Sequence, residues 1–232
     1  MKYIIILLLS VFTFVFVACD PEEEDPPIEN PQETIALAGG DFETWTEFVQ
    51  GEVTYDIPAG DWWDGLNYLS VIGGPITFEK TTDSYNGEYA LRLETKTWGE
   101  DLTIPGILAS GYFDPEQPIG ENLIIGKPFT DKPLSLNGFL KYAPAENDTL
   151  VIFVALTKFD SNENIRDTIA TGEYTYSGLI ETYSPFTVPI EYTESINPDS
   201  VHVILLASVS GKEMRGHTGS VLIVDELSFT YE

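Results

Sequence analysis

The sequence predicts an all-β fold, a jelly-roll sandwich of two antiparallel sheets. Three observations predict it. The chain is rich in residues that fit a pleated, half-buried surface, with 12 Tyr and 13 Phe set among runs of Thr, Val and Ile. Gly and Pro, 19 and 15 in number, interrupt these runs about every ten residues, as turns between short strands require. Almost nothing carries the 3.6-residue apolar period of an amphipathic helix.

The first segment is processing, not fold. "MKYIIILLLSVFTFVFVAC" is one lysine, an apolar run and a small residue before Cys19. The run is shorter than the roughly 20 residues a membrane span needs, so residues 1–18 read as a signal peptide. Its end, "FVAC", resembles a bacterial lipobox, with Phe16 where leucine is usual. That resemblance implies cleavage before Cys19, a diacylglycerol on its thiol and a membrane anchor. Cys19 is the one cysteine of the chain, so the mature protein has no disulfide and is stabilised by burial. Residues 19–36 include "DPEEEDPPIENPQE", acidic and proline-rich without apolar period, and read as a disordered tether. An acidic cluster after a lipidated cysteine resembles the export signal of Bacteroidetes surface lipoproteins, which implies an outer-membrane lipoprotein exposed at the cell surface.

Residues 37–232 suit a single domain. "DFETWTEF" opens it. "PITFEKTT" leads into the turn "DSYNGE", and "YALRLETKTW" leaves it. "IPGILASGYF" and "LSLNGFLKYAP" follow. "TLVIFVALTKFD" is a continuous apolar run, expected to be a central strand buried on both faces. "TIATGEYTY", "SPFTVPIEY", "VHVILLASVS" and "SVLIVDELSFTYE" complete the set, with "PAENDT" and "DSNENI" as loops between strands.

The charge balance restricts partners. With 38 acidic and 11 basic residues the net charge is -27, which argues against nucleic acid or anionic lipid as a ligand of the domain. Neutral or cationic ligands suit it, and many carboxylates are left to bind calcium.

The closing strand poses a question. By strict alternation Val221, Ile223, Asp225, Leu227 and Phe229 share one face, apolar except for the aspartate. A buried unpaired carboxylate is too costly to keep, so Asp225 needs a cation, a Lys or Arg, or several backbone N–H groups. If "GGDFETW" is the first strand, Asp41, Glu43 and Trp45 share a face, and Glu43 meets Asp225 where first and last strands lie side by side. Asp83, in the turn before Gly87, is a third candidate ligand. Calcium takes six to eight oxygens from such carboxylates and nearby carbonyls. The early acid, the turn before a "GEYALRL" strand and the first acid of a closing "VDEL" resemble galactose-binding-like jelly rolls. In those, these positions hold a structural calcium, here Glu43, Asp83 and Asp225.

A second resemblance covers residue 41 to the end. "GDWWDGLN", "IGKPFTDKPLSLNGFLKYAP", "DTLVIFVALTKFD", "NPDSVHVILLASVSG" and "GSVLIVDELSFTYE" are together similar to the carbohydrate metabolism domain of Bacteroidetes lipoproteins. The resemblance implies a jelly roll and a role with glycans.

Sugars pack their axial C–H groups on aromatic rings while Asn, Asp, Glu or Arg bond their hydroxyls. Trp62, Trp63 and Asn67 in "AGDWWDGLN", and Trp98 beside Gly99, are the candidate ligand-binding residues. Alternation sends one ring of the Trp62–Trp63 pair inward and one outward; Trp45 is assigned to the core. No strand carries the closely spaced acids of a retaining glycosidase, and Glu43 and Glu47 stand too far apart. Gly-x-Ser-x-Gly, zinc spacings and phosphate loops are also missing. His202 sits in an apolar strand and reads as a satisfied structural histidine, and His217 has no local partner in sequence. The expected function is a surface-anchored, non-catalytic carbohydrate-binding lipoprotein. The alternative is a structural or adhesive subunit of a surface assembly with a protein partner.

Overall fold

The structure, a computed structural model, describes residues 32–100, 102–209 and 217–232. The expected signal peptide, Cys19 and all but the end of the tether lie outside the described residues. The strands are β1 (Glu33–Ala36), β2 (Trp45–Gln50), β3 (Val53–Pro58), β4 (Trp63–Gly65), β5 (Phe78–Thr81) and β6 (Ala90–Glu94). β7 (Lys96–Trp98), β8 (Leu102–Ile104), β9 (Ile107–Phe113), β10 (Leu123–Ile125), β11 (Lys127–Pro128) and β12 (Ser135–Ala143) follow. The chain ends with β13 (Leu150–Asp160), β14 (Ile165–Tyr176), β15 (Ile180–Pro189), β16 (Glu191–Tyr192), β17 (Ser200–Leu206) and β18 (Val221–Tyr231). One 3-10 helix, Asn67–Ile72, stands between β4 and β5.

Two antiparallel sheets make the jelly roll. The smaller runs β15-β12-β18-β6-β5, with β1 also on β18. The larger runs β10-β9-β17-β13-β14-β16, with β4 on β9 and β11 on β17. Leu136, Leu140, Phe186 and Val188 face Ile152, Val154, Leu156, Val203 and Leu205 in the single main core. β13, the continuous apolar run, is central as expected. Its outer face is also largely covered, with Val151, Ala155 and Thr157 buried beside the half-buried Phe153.

First and last strands do pair, but the partner differs from the expected one. Residues 228–231 of β18 bond Glu33–Ala36, the end of the expected tether. β6 covers only residues 221–224, which leaves the rest of that edge of β18 with unpaired N–H and C=O groups. Four residues from the tether satisfy it. The segment 41–44 is not strand, and Phe42 turns the chain at φ 50°. The domain therefore begins before residue 37.

The parity of β18 also corrects the reading from alternation. Leu222, Val224, Leu227 and Phe229 are the core residues. Against β12 the register shifts between Asn137 and Phe139, where β18 steps from Ser228 to Asp225, and Glu226 adopts φ 54°. This β-bulge inserts one residue and exchanges the faces. Asp225 thus shares a face with Val221 and Ile223, on the outer side of the smaller sheet, not with Leu227 and Phe229. It is nonetheless fully buried, because the turn at residues 83–89 lies over it.

Candidate functional site

The expected sugar-binding aromatics divide on burial. Trp63 is 2% exposed, its ring 5.8 Å from that of Phe42, and its Nε1 donates to the Ala38 carbonyl at 2.9 Å. Asn67 is fully buried; its Oδ1 accepts from Thr77 N and Phe78 N, and its Nδ2 donates to Phe78 O at 2.7 Å. Neither is available to a sugar. Trp63 fills the core and Asn67 splices the 3-10 helix to β5. Alternation is the cause for the tryptophans: the inward ring is Trp63, and Trp62 stays half-buried beside it, ring centroids 6.4 Å apart. Trp98 is half-buried against the small satellite cluster of Leu66, Leu69 and Ile104. Trp45 packs partly buried against the main core.

The expected metal ligands meet backbone donors and a lysine. Asp225 Oδ2 accepts from Tyr85 N at 2.8 Å and Asn86 N at 3.2 Å, and its Oδ1 accepts from Glu226 N at 2.9 Å. Burial raises the Asp225 carboxyl pKa above its ordinary value, these three hydrogen bonds pull it back, and the Glu226 charge adds to the rise. Glu43 accepts from Glu88 N and Tyr89 N at 3.0 Å. Asp83 turns elsewhere, to Lys141 Nζ at 2.6 Å. Glu43 and Asp225 thus grip one turn from two sides, and Asp83 does not join them. Among the described residues no three acidic, His or Cys side chains converge as a metal site. Backbone N–H groups satisfy Asp225 and Glu43, and Lys141 satisfies Asp83, so all three carboxylates have partners without an ion. Chelation is accordingly expected to move the melting temperature by less than about 2 °C, since a bound ion lost from the fold would lower it. A melting point several degrees lower in EDTA overturns that expectation and restores calcium.

The open feature of the larger sheet is a trough of about 490 Å³ on its outer face. Register builds it from two cross-sheet rows. Ile107, Leu206, Val151 and Thr175 stand abreast in the first; Ile204, Phe153 and Glu173 line the second, whose register continues through the buried Ala109 to Asp64, outside the trough. Asp64 and Glu173 end the second row four strand spacings apart, about 19 Å along the sheet at 4.8 Å per strand. Asp64 is occupied, accepting from Gly65 N and Phe113 N at 2.8 Å, and burial raises its pKa against these two bonds and Lys127. Hydrolysis of a glycosidic bond wants two carboxyls about 5 to 9.5 Å apart, which this row does not offer.

His202 lies on the same outer face and is already satisfied. Arg166 Nη1 donates to Thr157 Oγ1 at 3.0 Å, and that hydroxyl stands 3.1 Å from His202 Nε2. Burial and the Arg166 charge lower the His202 pKa, and a bond with the Ile125 backbone offsets this in part. His217, without a partner in sequence, finds Glu146 at 3.1 Å.

Sequence reasoning passed over Tyr85. The turn "DSYNGE" drew attention for Asp83 and Gly87, yet an aromatic at a turn tip is itself a sign of a solvent-facing ring. Tyr85 is 49% exposed.

Fold and surface together define a two-sheet β-jelly-roll module with an open trough and a clamped aromatic turn. The chain belongs to the family described as "Putative carbohydrate metabolism domain", whose model matches residues 40–230. Two solved structures share the fold. One is described as a "putative glycoside hydrolase" from Bacteroides thetaiotaomicron, 17% identical, covering 85% of this chain and 69% of that one at a TM-score of 0.65. The other carries the same description from Bacteroides vulgatus, 17% identical, covering 84% of this chain and 96% of that one at a TM-score of 0.64. A comparison with curated proteins finds no match.

Proposed function

We propose that this chain is a surface-anchored lipoprotein whose jelly roll binds carbohydrate without cleaving it, serving glycan capture or utilisation. The family supplies the ligand class. The observation that carries the non-catalytic part is that Glu173 is the one carboxylate among the described residues lining the trough, where hydrolysis of a glycosidic bond wants a pair. The apolar leader ending at Cys19 and the acidic tether support lipid anchoring in the outer membrane with the domain facing outward.

The full chain, incubated with a panel of soluble polysaccharides, is expected to retain at least one of them and to release no reducing ends above the buffer rate. Sustained release overturns the non-catalytic reading. Failure of a folded chain to retain any polysaccharide overturns the carbohydrate reading.

One observation favours the protein-partner alternative. The trough floor is aliphatic apart from Phe153, with Thr175 and Glu173 as its polar side chains, which suits an apolar protein surface better than a hydroxyl-rich sugar. Co-purification of a stable partner without any glycan retained would move the weight to a structural or adhesive subunit.

A further inference from the structure

We infer that Tyr85 is the stacking platform of a glycan-contact surface on the outer face of the smaller sheet, and that this surface takes neutral sugars. The inference rests on the carbohydrate reading above and supplies its site and ligand class.

The ring is presented in the way a sugar needs. It lies flat on Phe139, centroids 3.6 Å apart and planes 10° from parallel, while Tyr183 meets it edge-on at 5.8 Å. One face is therefore covered, and at 49% exposure the other is open to solvent. The open face carries the negative side of the ring quadrupole, onto which the weakly positive axial C–H groups of a pyranose pack.

The platform is held rigid from below. Tyr85 N–H and Asn86 N–H both end on the buried Asp225 carboxylate. Two residues further on, Glu88 N–H and Tyr89 N–H end on Glu43. Gly87 makes this second clamp possible: it adopts φ 68°, and a Cβ there would stand 2.2 Å from Glu43 Oε1. Both carboxylates, costly to bury or to hold in one place, are used on the backbone that carries Tyr85. Asp225 is a positioning residue in this scheme. A turn fixed before the ligand arrives loses less conformational freedom on binding.

Polar groups ring the platform. Lys141 Nζ bridges Asp83 at 2.6 Å and lies 4.7 Å from the Tyr183 ring centre. Tyr183 Oη donates to the Asp83 carbonyl, and Asn86 Nδ2 donates to Glu226 Oε1 at 2.9 Å. Ser84 is close by with its hydroxyl on Gly87 O. Donors and acceptors of this kind suit sugar hydroxyls. The local charge decides the class of sugar. Lys141 is paired with Asp83, and Lys80, over the Tyr89 ring, is paired with Asp56; what remains around the turn is Glu43, Glu88 and Glu226, on a chain of net charge -27. A polyuronate is repelled by such a surface; a neutral polymer is not.

Affinity electrophoresis of the full chain in gels containing galactomannan, xyloglucan, laminarin or polygalacturonate tests this. At least one neutral polymer is expected to retard the parent, and polygalacturonate is not. Tyr85→Leu, which keeps an apolar cover on Phe139 but no flat ring, is expected to weaken that retardation about tenfold with the melting temperature unchanged. Tyr85→Phe is expected to bind as the parent does. Retardation of Tyr85→Leu equal to the parent's removes the platform and leaves carbohydrate binding in place. Loss of binding in Tyr85→Phe as well as Tyr85→Leu removes the stacking role. Retardation by polygalacturonate alone removes the neutral class. No retardation of the folded parent by any polymer removes this inference and the carbohydrate reading together.

Discussion

Trp63→Ala is expected to destabilise the domain by about 3–5 kcal/mol, the range for truncating a buried tryptophan. The substitution empties the space beside Phe42 in the main core and leaves the Ala38 carbonyl without its indole donor. It also acts on the chain's return to the sheet. Leu37 N donates to Leu227 O and Leu227 N to Gly40 O, so the segment that Trp63 anchors is the one that seats β1 against β18. Urea unfolding at neutral pH measures the change, and a loss below about 1 kcal/mol would show that the ring does not fill the core. On the sequence reading alone this tryptophan is a surface contact, and its replacement would cost binding rather than stability. The two outcomes are therefore opposite in kind as well as in size.

Asp225→Ala is expected to cost about 3 kcal/mol, because it leaves the N–H groups of Tyr85, Asn86 and Glu226 without their acceptor under a covered turn. Hydrogen exchange at Tyr85 and Asn86 should accelerate far more than exchange in β13, since the turn is released while the core remains. Asp225→Asn is expected to fall between parent and alanine variant: its oxygen still accepts from one side, and its amide N–H2 opposes a backbone donor on the other. The raised pKa of Asp225 fixes the direction with pH. A carboxyl whose folded pKa lies above its unfolded one adds stability that is present below the unfolded value and lost as pH rises through the folded one. The gap between parent and Asp225→Ala should accordingly be wider at pH 4 than at pH 7. Equal stability of parent and alanine variant at both pH values would mean that the turn is held by something else.

Much of the fold was readable because it depends on local chemistry. The run at 150–156 has no polar residue to give a solvent face, so its place at the centre of a sheet follows. The turns at 83–89 and 160–165 were marked by Asp, Asn and Gly. The site was less readable. Which of two adjacent tryptophans faces inward depends on which strand edge receives them, and that edge, β9, lies more than forty residues downstream. Asn67 looked like a loop amide free for a ligand, but its three bonds are to backbone groups ten and eleven residues away. Tyr85 was invisible as a platform because its support, Phe139, and its clamp, Asp225, come from two other strands.

The all-β class, the central strand, most turns and the need of Asp225 for a partner are local properties, because strand period, turn residues and the cost of a buried charge act within a few residues. What that partner is, and which way the carboxylate faces, depends on strands far apart in the chain. A single bulge at Glu226, a residue with no intrinsic preference for φ 54°, exchanges the faces of the last strand. It places Asp225 outside the core and under a turn whose Tyr85 lies 140 residues earlier. No local pattern encodes a shift of one residue, since it is selected by the packing of Leu227 and Phe229 inward and by the N–H groups that wait on the other side.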